Sequence, residues 1–366
     1  MRRRRVGDVA IQSLTDDPAA TTDLLQSVFA ERASTAADIG PGFSDAVSAM
    51  SAFVLRGGKR VRPTFAWAGY LAAGPTRSDP ERLLTVCAAL ELVQACALIH
   101  DDIIDRSDTR RGFPTIHREF EARHREAGWR GDAADYGEGV AILLGDLALA
   151  WADDLVTEAG FDPEIHRAVT GIWRSMRTEV LGGQFLDIAT EASGDEASVA
   201  AYRVMRFKTA AYTVERPLHL GAAVGGADPD LIESLRSFGT DIGIAFQLRD
   251  DLLGVFGDPS ITGKPAGDDI IAGKRTALLS AALGTLDATD RRAAEVLRGR
   301  VGRPHTAGEL AETLAIITDS GAVTAVEQQI NDLVTTALTT LNASSATPAA
   351  KQDLTGLATA MTRRKY

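Results

Sequence analysis

Cysteine is almost missing from this chain: Cys87 and Cys96 are the two among 366 residues, too few for a disulfide framework. Both fall in one apolar helical stretch, where pairing is not expected, so they read as small core residues of a reducing compartment. Aromatic residues are scarce at 6%, while alanine and leucine abound, a balance that favours helices. Basic residues are outnumbered by acidic ones, 39 against 50, giving a net charge of −11. That charge argues against nucleic acid as a partner for the body of the protein. No apolar run of about eighteen residues goes uninterrupted, so no stable membrane insertion is expected. The start lacks the apolar stretch of a secretion signal, and no fixed-period repeat or low-complexity tract is visible. These absences together predict a soluble, cytoplasmic, all-α protein.

What is present supports a sizeable core, since 45% of the residues are hydrophobic, and no linker suggests a place to cut. A single domain over 1–366 is expected. Helical patterning covers 21–55 with a break at Pro41-Gly42, then 64–73, 81–105, 140–158, 163–181, 199–224 and 229–256, and resumes near Lys274. Residues 1–20, with Arg2 to Arg5, and the closing Arg363, Arg364 and Lys365 read as poorly ordered ends. The stretch 120–138 shifts to charge, glycine and alanine and reads as a surface excursion. Gly182-Gly183 reads as a bend, and 257–267 as a turn-rich loop able to act as a flap.

Inside this pattern sits Leu98-Ile99-His100-Asp101-Asp102-Ile103-Ile104-Asp105, followed by Arg110-Arg111-Gly112. Residues four apart share a helix face, so Asp101 and Asp105 project side by side and repel unless neutralised. A hard cation such as Mg²⁺ resolves that repulsion and leaves room for phosphate oxygens, while the two arginines add forked donors suited to phosphate. The pattern returns in Phe246-Gln247-Leu248-Arg249-Asp250-Asp251-Leu252-Leu253. One aspartate pair is commonly a solvated helix face; two in apolar helical settings are harder to dismiss. Gly57-Gly58-Lys59-Arg60-Val61-Arg62-Pro63 adds three cations beside two glycines, which let a backbone approach an anion closely.

The ordered set GGKRxRP, DDxxD with RRG, GQxxD, KTA, FQxxDD and GKPxGDD, spanning roughly Leu55 to Thr276, resembles the trans-isoprenyl diphosphate synthases. The resemblance is greatest to the geranylgeranyl type. It implies a large helical bundle with a central active-site cavity, the isoprenoid synthase fold, assembled as a homodimer with the two aspartate turns facing one another. It also implies head-to-tail condensation of isopentenyl diphosphate with an allylic diphosphate. By that resemblance Asp101, Asp105 and Asp250 are the ligands of three magnesium ions. Arg110, Lys208 and Lys264 match further contacts to the allylic diphosphate, and Lys59, Arg62, Arg111 and Gln94 match contacts to isopentenyl diphosphate. Gln247 and the Thr209 hydroxyl match groups facing the developing carbocation, and Phe246 a ring on the isopentenyl tail. Gln184 and Asp187 match the GQxxD motif, where orienting Lys208 or bound water, or forming a core hydrogen bond, are all open. The second motif departs from the pattern at its third acidic position, which is Gly254; Asp258 lies beyond, where Gly257 and Pro259 signal the helix end.

His100 reads as a packed side chain, because imidazole suits Mg²⁺ poorly. His117 and His124 show no metal spacing, and Asp153-Asp154 reads as a helix surface. A growing prenyl chain would run along the helix that ends in Asp101, one five-carbon unit per helical turn of ~5 Å. Residues four, five and eight positions earlier, Ala97, Cys96 and Val93, then act as successive floors. All are small or medium, which points to geranylgeranyl diphosphate as the product. Farnesyl and longer polyprenyl diphosphates are the alternatives. A terpene cyclase would have no use for Lys59, Arg62 and Arg111. A silent partner subunit would be expected to lose its aspartates.

Overall fold

The expected helical pattern is realised almost throughout residues 19–75, 80–258 and 266–363, which the computed structural model describes. Contacts divide the chain into two compact units, Met1–Trp67 with Arg77–Arg167 and Ala68–Thr76 with Ala168–Tyr366. Of the expected N-terminal arm, 1–18 lie outside the described residues and Ala19 already opens a helix; Arg364 and Lys365 also lie outside them.

The first unit contains α1 (Ala19–Ile39), α2 (Pro41–Leu55), the start of α3 (Val61–Ala72), α4 (Pro80–Ile104), α5 (Ile116–Ala127) and α6 (Ala133–Glu158). α4 packs against α1, α2, α5 and α6, which explains why it is apolar around its whole circumference. Leu83, Val86, Cys87, Leu90 and Leu92 are entirely buried, and each such side chain contributes about 1.5–3 kcal/mol relative to exposure. By length and hydropathy α4 alone among the described helices could cross a membrane, yet 72% of its most apolar window is buried inside the protein. Glu91 and Gln94 interrupt that apolar stretch, and the surrounding protein accommodates them.

Between α4 and α5 runs a short hairpin, β1 (Thr109–Arg110) and β2 (Phe113–Pro114), with Arg110 opposite Phe113. It is too short to register as alternation in the sequence. The stretch 120–138 is a helix, a tight connection and a second helix rather than a loop excursion. Gly128 ends α5 in the left-handed region at φ 63, and Asp132 caps α6 by accepting from Ala134 N and Asp135 N. Its charge suggested a loop, but Arg118 and Arg125 pair with Glu121, and Arg123 with Glu119, one turn apart on α5.

The second unit holds the end of α3, most of α7 (Pro163–Ser193), α8 (Ser198–Val204), a π-helix (Met205–Glu215), α9 (Arg216–Gly225) and α10 (Pro229–Phe256). It continues through α11 (Asp268–Ala272), α12 (Ala277–Thr289), α13 (Arg291–Arg300), α14 (Ala307–Asp319), α15 (Ala322–Ala343) and α16 (Pro348–Thr362). α10 contacts the π-helix, α9, α11, α12, α15 and α16. Its Leu248, Leu252 and Val255 enter a core with Leu278, Leu283, Ile317 and Val326.

Two expectations are corrected here. α7 runs unbroken through Gly182-Gly183, and the helix expected over 199–224 is interrupted by eleven π-helical residues. A Cβ on Gly183 would lie 2.2 Å from the backbone nitrogen of Lys208, and Cβ atoms on Gly239 and Gly243 of α10 would lie 2.7 Å and 2.5 Å from the Cα atoms of Glu215 and Ala210. These glycines exist for close approach, letting two helices press against the backbone of the wide π-segment.

Candidate active site

In the first unit, Asp105 N donates to Asp101 O at 2.8 Å, so the helical register of α4 carries one residue past Ile104. Asp101 and Asp105 therefore share a face, as the spacing predicts. Asp102 does not join them. It is 1% exposed and accepts from Arg110 Nε at 2.8 Å, with Nη2 at 2.7 Å. Burial raises the Asp102 pKa, Arg110 opposes that shift, and Asp101 and Asp105 add to it. Arg110 also lies 3.6 Å from Asp101 Oδ2, so the buried carboxylate holds this guanidinium beside the acidic turn.

The hairpin leaves Arg111-Gly112 as a two-residue loop with φ of 54° and 79°, the primed turn that matches strand twist. Arg111 donates to Gly57 O, and its guanidinium lies 3.2 Å from where a Cβ on Gly58 would stand. The RRG and GGKR motifs, far apart in sequence, thus meet through backbone. Arg60 leaves the cationic group: it is 5% exposed, pairs with buried Glu91 and donates to Val54 O at 2.9 Å. Of the other two cations of this motif, Lys59 is exposed and Arg62 half-buried. Arg60, Arg106 and Arg111 all have positive φ, and they are the three non-glycine residues in that region among the described residues. Such strain persists where surrounding contacts enforce it, commonly at functional sites.

Gln94 lies on α4 two turns before Asp101, and its Oε1 is buried with no hydrogen-bond partner. Turned over, the amide would present donors to an anion. Val93 and Cys96 are 2% and 4% exposed, and Ala97 is half-buried. Burial, with Asp146 adding to it, pushes the Cys96 thiol up to about 12. His100 packs as expected: its Nε2 lies 3.2 Å from Ile142 O, and a Cβ on Gly145 would come within 2.1 Å of that nitrogen. Asp154 pairs with Arg32 at 3.0 Å, in keeping with a helix surface.

In the second unit, α10 turns Leu248, Leu252 and Val255 into the core and leaves Phe246, Gln247 and Asp250 half-buried. Thr209 Oγ donates to Gln247 Oε1 at 2.8 Å, and Gln247 Nε2 donates to Asp251 Oδ1 at 2.9 Å. Asp251 is 4% exposed; burial pushes it up to about 7, with Gln247 opposing and Asp269 and Asp250 adding to the shift. Arg249 is pinned by paired bonds of 2.6 Å to Glu327 and by donation to Thr362 O at 2.9 Å. This fixes the helix turn that carries Asp250. Lys208, on the π-helix, donates to Asp187 Oδ2 at 2.5 Å, a contact through which Asp187 can orient that lysine. Lys264 lies outside the described residues. α10 ends at Phe256 with extended backbone at Gly257, so Asp258 does not continue the helical face.

Sequence reasoning missed Asp102 as the anchor of Arg110 and Glu91 as the partner of Arg60. The doubled aspartate and the lone glutamate in an apolar helix were the available signals. Among the described residues, no three His, Cys, Asp or Glu side chains gather closely enough to hold a metal by themselves.

Residues 45–317 match the polyprenyl synthetase family. A solved geranylgeranyl pyrophosphate synthase from Corynebacterium glutamicum, complexed with isoprenyl diphosphate and magnesium, superposes with a TM-score of 0.92 at 47% identity, covering 98% of this chain and 100% of that one. The geranylfarnesyl diphosphate synthase of Aeropyrum pernix is 30% identical over 318 residues, 86% of this chain and 92% of its own length. A geranylgeranyl diphosphate synthase of Mycobacterium tuberculosis is 38% identical over 217 residues, 59% of this chain and 57% of its own. Motif order, helical architecture and these likenesses agree, and the chain belongs to the polyprenyl synthetase family of trans-prenyltransferases.

Proposed function

We propose that this protein condenses isopentenyl diphosphate with an allylic diphosphate and releases geranylgeranyl diphosphate, in the cytoplasm and as a homodimer. The observation that carries this reading is that each aspartate turn comes with a cation anchored beside it or on its own unit: Arg110 held by Asp102, and Lys208 held by Asp187. Each unit thus carries carboxylates and an anchored cation suited to a diphosphate. The donor set fits magnesium, since Asp101, Asp105 and Asp250 are hard oxygen donors. The absence of a three-ligand cluster among the described residues suits an ion that keeps waters and takes substrate oxygens. Three ions with substrate bound are proposed.

Magnesium would offset negative charge as the allylic carbon–oxygen bond breaks. Arg110, Lys208 and Lys264 bind the same leaving group, and each tenfold gain in rate requires about 1.4 kcal/mol of differential stabilisation. Lys59, Arg62, Arg111 and Gln94 hold the second diphosphate. Gln247 and Thr209 are kept in place by the bond chain ending on Asp251, and present oxygen lone pairs toward a carbocation; Phe246 packs on the isopentenyl tail. The alkene attacks, and the released diphosphate takes the proton that leaves.

Exposed Leu181, Phe185 and Ile188 form a helical stripe on α7, with exposures of 55%, 69% and 42%. Such a stripe supports self-association. The small side chains of Ala97, Cys96 and Val93 support a twenty-carbon product. Incubating the purified protein with Mg²⁺, isopentenyl diphosphate and each allylic primer tests the reading. Geranylgeranyl diphosphate is the expected product; a cyclised hydrocarbon, or no turnover with any primer, refutes it.

A further inference from the structure

Two side chains of the π-helix pair along nearly its whole length. Arg206 is its second residue and Glu215 its last, and Arg206 Nη2 lies 2.6 Å from Glu215 Oε2. An α-helix turns about 100° per residue, so residues 206 and 215 would stand on opposite sides of one. A helix bonded i→i+5 holds about 4.4 residues per turn, so the same separation completes about two turns and returns to one face. The ion pair therefore fits the π-register of this segment and not an α-register. The backbone agrees, since Arg216 N donates to Ala211 O, five residues back.

Glu215 is 1% exposed and also accepts from Arg236 Nε at 3.0 Å, which ties it to α10. A Cβ on Gly239 would lie 2.7 Å from Glu215 Cα, so α10 lies directly on this residue. Its neighbour Arg216 donates from Nε to Glu179 of α7 at 2.8 Å. The Glu215 end is thus fixed by both flanking helices. Arg206 keeps its Nη1 buried with no hydrogen-bond partner, a desolvation cost the guanidinium bears in reaching Glu215. Lys208 and Thr209 lie between the two ends. Counted back from Glu215, a change from π- to α-register would swing Lys208 by about 130° around the helix axis. That rotation would take its amine from Asp187 Oδ2 and the Thr209 hydroxyl from Gln247 Oε1.

We propose that Arg206 and Glu215 are positioning residues, an ionic clasp that holds Met205–Glu215 in the π-register and so aims Lys208 and Thr209. The assignment rests on the prenyl-transfer reading and deepens it, by naming what orients two of the groups proposed to face the allylic substrate. The pair acts through the backbone between its members, so neither side chain needs to touch substrate.

The test removes the arginine and leaves Glu215 its bond to Arg236. In steady-state kinetics on the full chain, Arg206→Leu should raise the KM for the allylic primer by about tenfold or more, with the KM for isopentenyl diphosphate unchanged. A merely weakened fold would instead reduce the active fraction and lower kcat at constant KM. Arg206→Lys, which returns a cation to Glu215, should recover most of the loss. In a Lys208→Ala background Arg206→Leu should add less than about twofold, because the group it aims is gone, whereas independent sites would multiply their effects. Amide hydrogen exchange over 205–215, read by mass spectrometry, should quicken by about tenfold or more in Arg206→Leu while α12 keeps the parent rate. Glu215→Gln, which keeps the size of the side chain, is the second variant and should show the same KM split. Parent kinetics in Arg206→Leu, a fully multiplicative effect with Lys208→Ala, or unaltered exchange overturns the clasp. A parent protein that turns over no primer refutes the prenyl-transfer reading instead, and exchange then judges the clasp by itself.

Discussion

Gly182 and Gly183 are neighbours on one helix, and substituting each by alanine should have opposite consequences. At Gly183 the new Cβ would stand 2.2 Å from Lys208 N and 2.6 Å from both Lys208 Cα and Phe207 C, against 3.4 Å for ordinary contact. All three atoms are backbone, so no rotamer relieves the clash, and α7 must part from the π-helix by about 1 Å. Overpacking of this kind costs about 1–3 kcal/mol, offset by the helix preference of alanine over glycine, about 1 kcal/mol. The larger effect falls on chemistry. Lys208 and Thr209 ride on the displaced backbone, and a misplacement of about 1 Å can cost on the order of 100-fold in rate. At Gly182 nothing lies within 4 Å of the added carbon and the position is exposed, so alanine should stabilise by about 0.5–1 kcal/mol and leave turnover unchanged. Steady-state kinetics with isopentenyl diphosphate and an allylic primer, beside denaturant unfolding followed by circular dichroism, measures both. A folded Gly183→Ala variant turning over at the parent rate would refute the claim that this contact positions the site.

Ala97→Phe should shorten the product by one five-carbon unit, as the side chain fills the first floor beneath Asp101; chromatography of the dephosphorylated products reads the length. Glu91→Gln should destabilise the protein by about 3–5 kcal/mol, because it leaves the buried Arg60 charge without its counter-charge, and chemical denaturation at neutral pH measures the loss. His219 is pushed down to about 4 by burial and by Arg216 and Arg236, so between pH 6.5 and 4 the unfolded chain binds a proton that the native state does not. Stability therefore falls as pH drops through that window, by about 3 kcal/mol from this group. His219→Gln, which keeps an acceptor for Arg216, should flatten the slope of unfolding free energy between pH 7 and pH 5; an unaltered slope would show that this histidine is not responsible.

Helices were legible because apolar periodicity is local, and most of the elements lie within a few residues of their expected places. The excursion over 120–138 misled because charge composition resembles a loop when oppositely charged residues pair one turn apart, as Glu121 does with Arg118 and Arg125. The π-helix was invisible for a different reason. Its backbone is closely approached by glycines on α7 and α10, and no window over 205–215 contains them.

The sequence alone determined the chemistry available here: two acidic turns at helical spacing, cations in fixed order around them, and small residues before Asp101. Those are properties of residue type and short-range spacing, which the helix repeat converts directly into a shared face. Tertiary structure decided which charges serve as anchors. Arg60 and Asp102 stand in the same motifs as Lys59 and Asp101, yet they are buried at 5% and 1% exposure on partners 31 and 8 residues away. Whether a charged side chain meets a substrate or a buried counter-charge depends on which helices cover it, and that is settled by packing between segments distant in the chain.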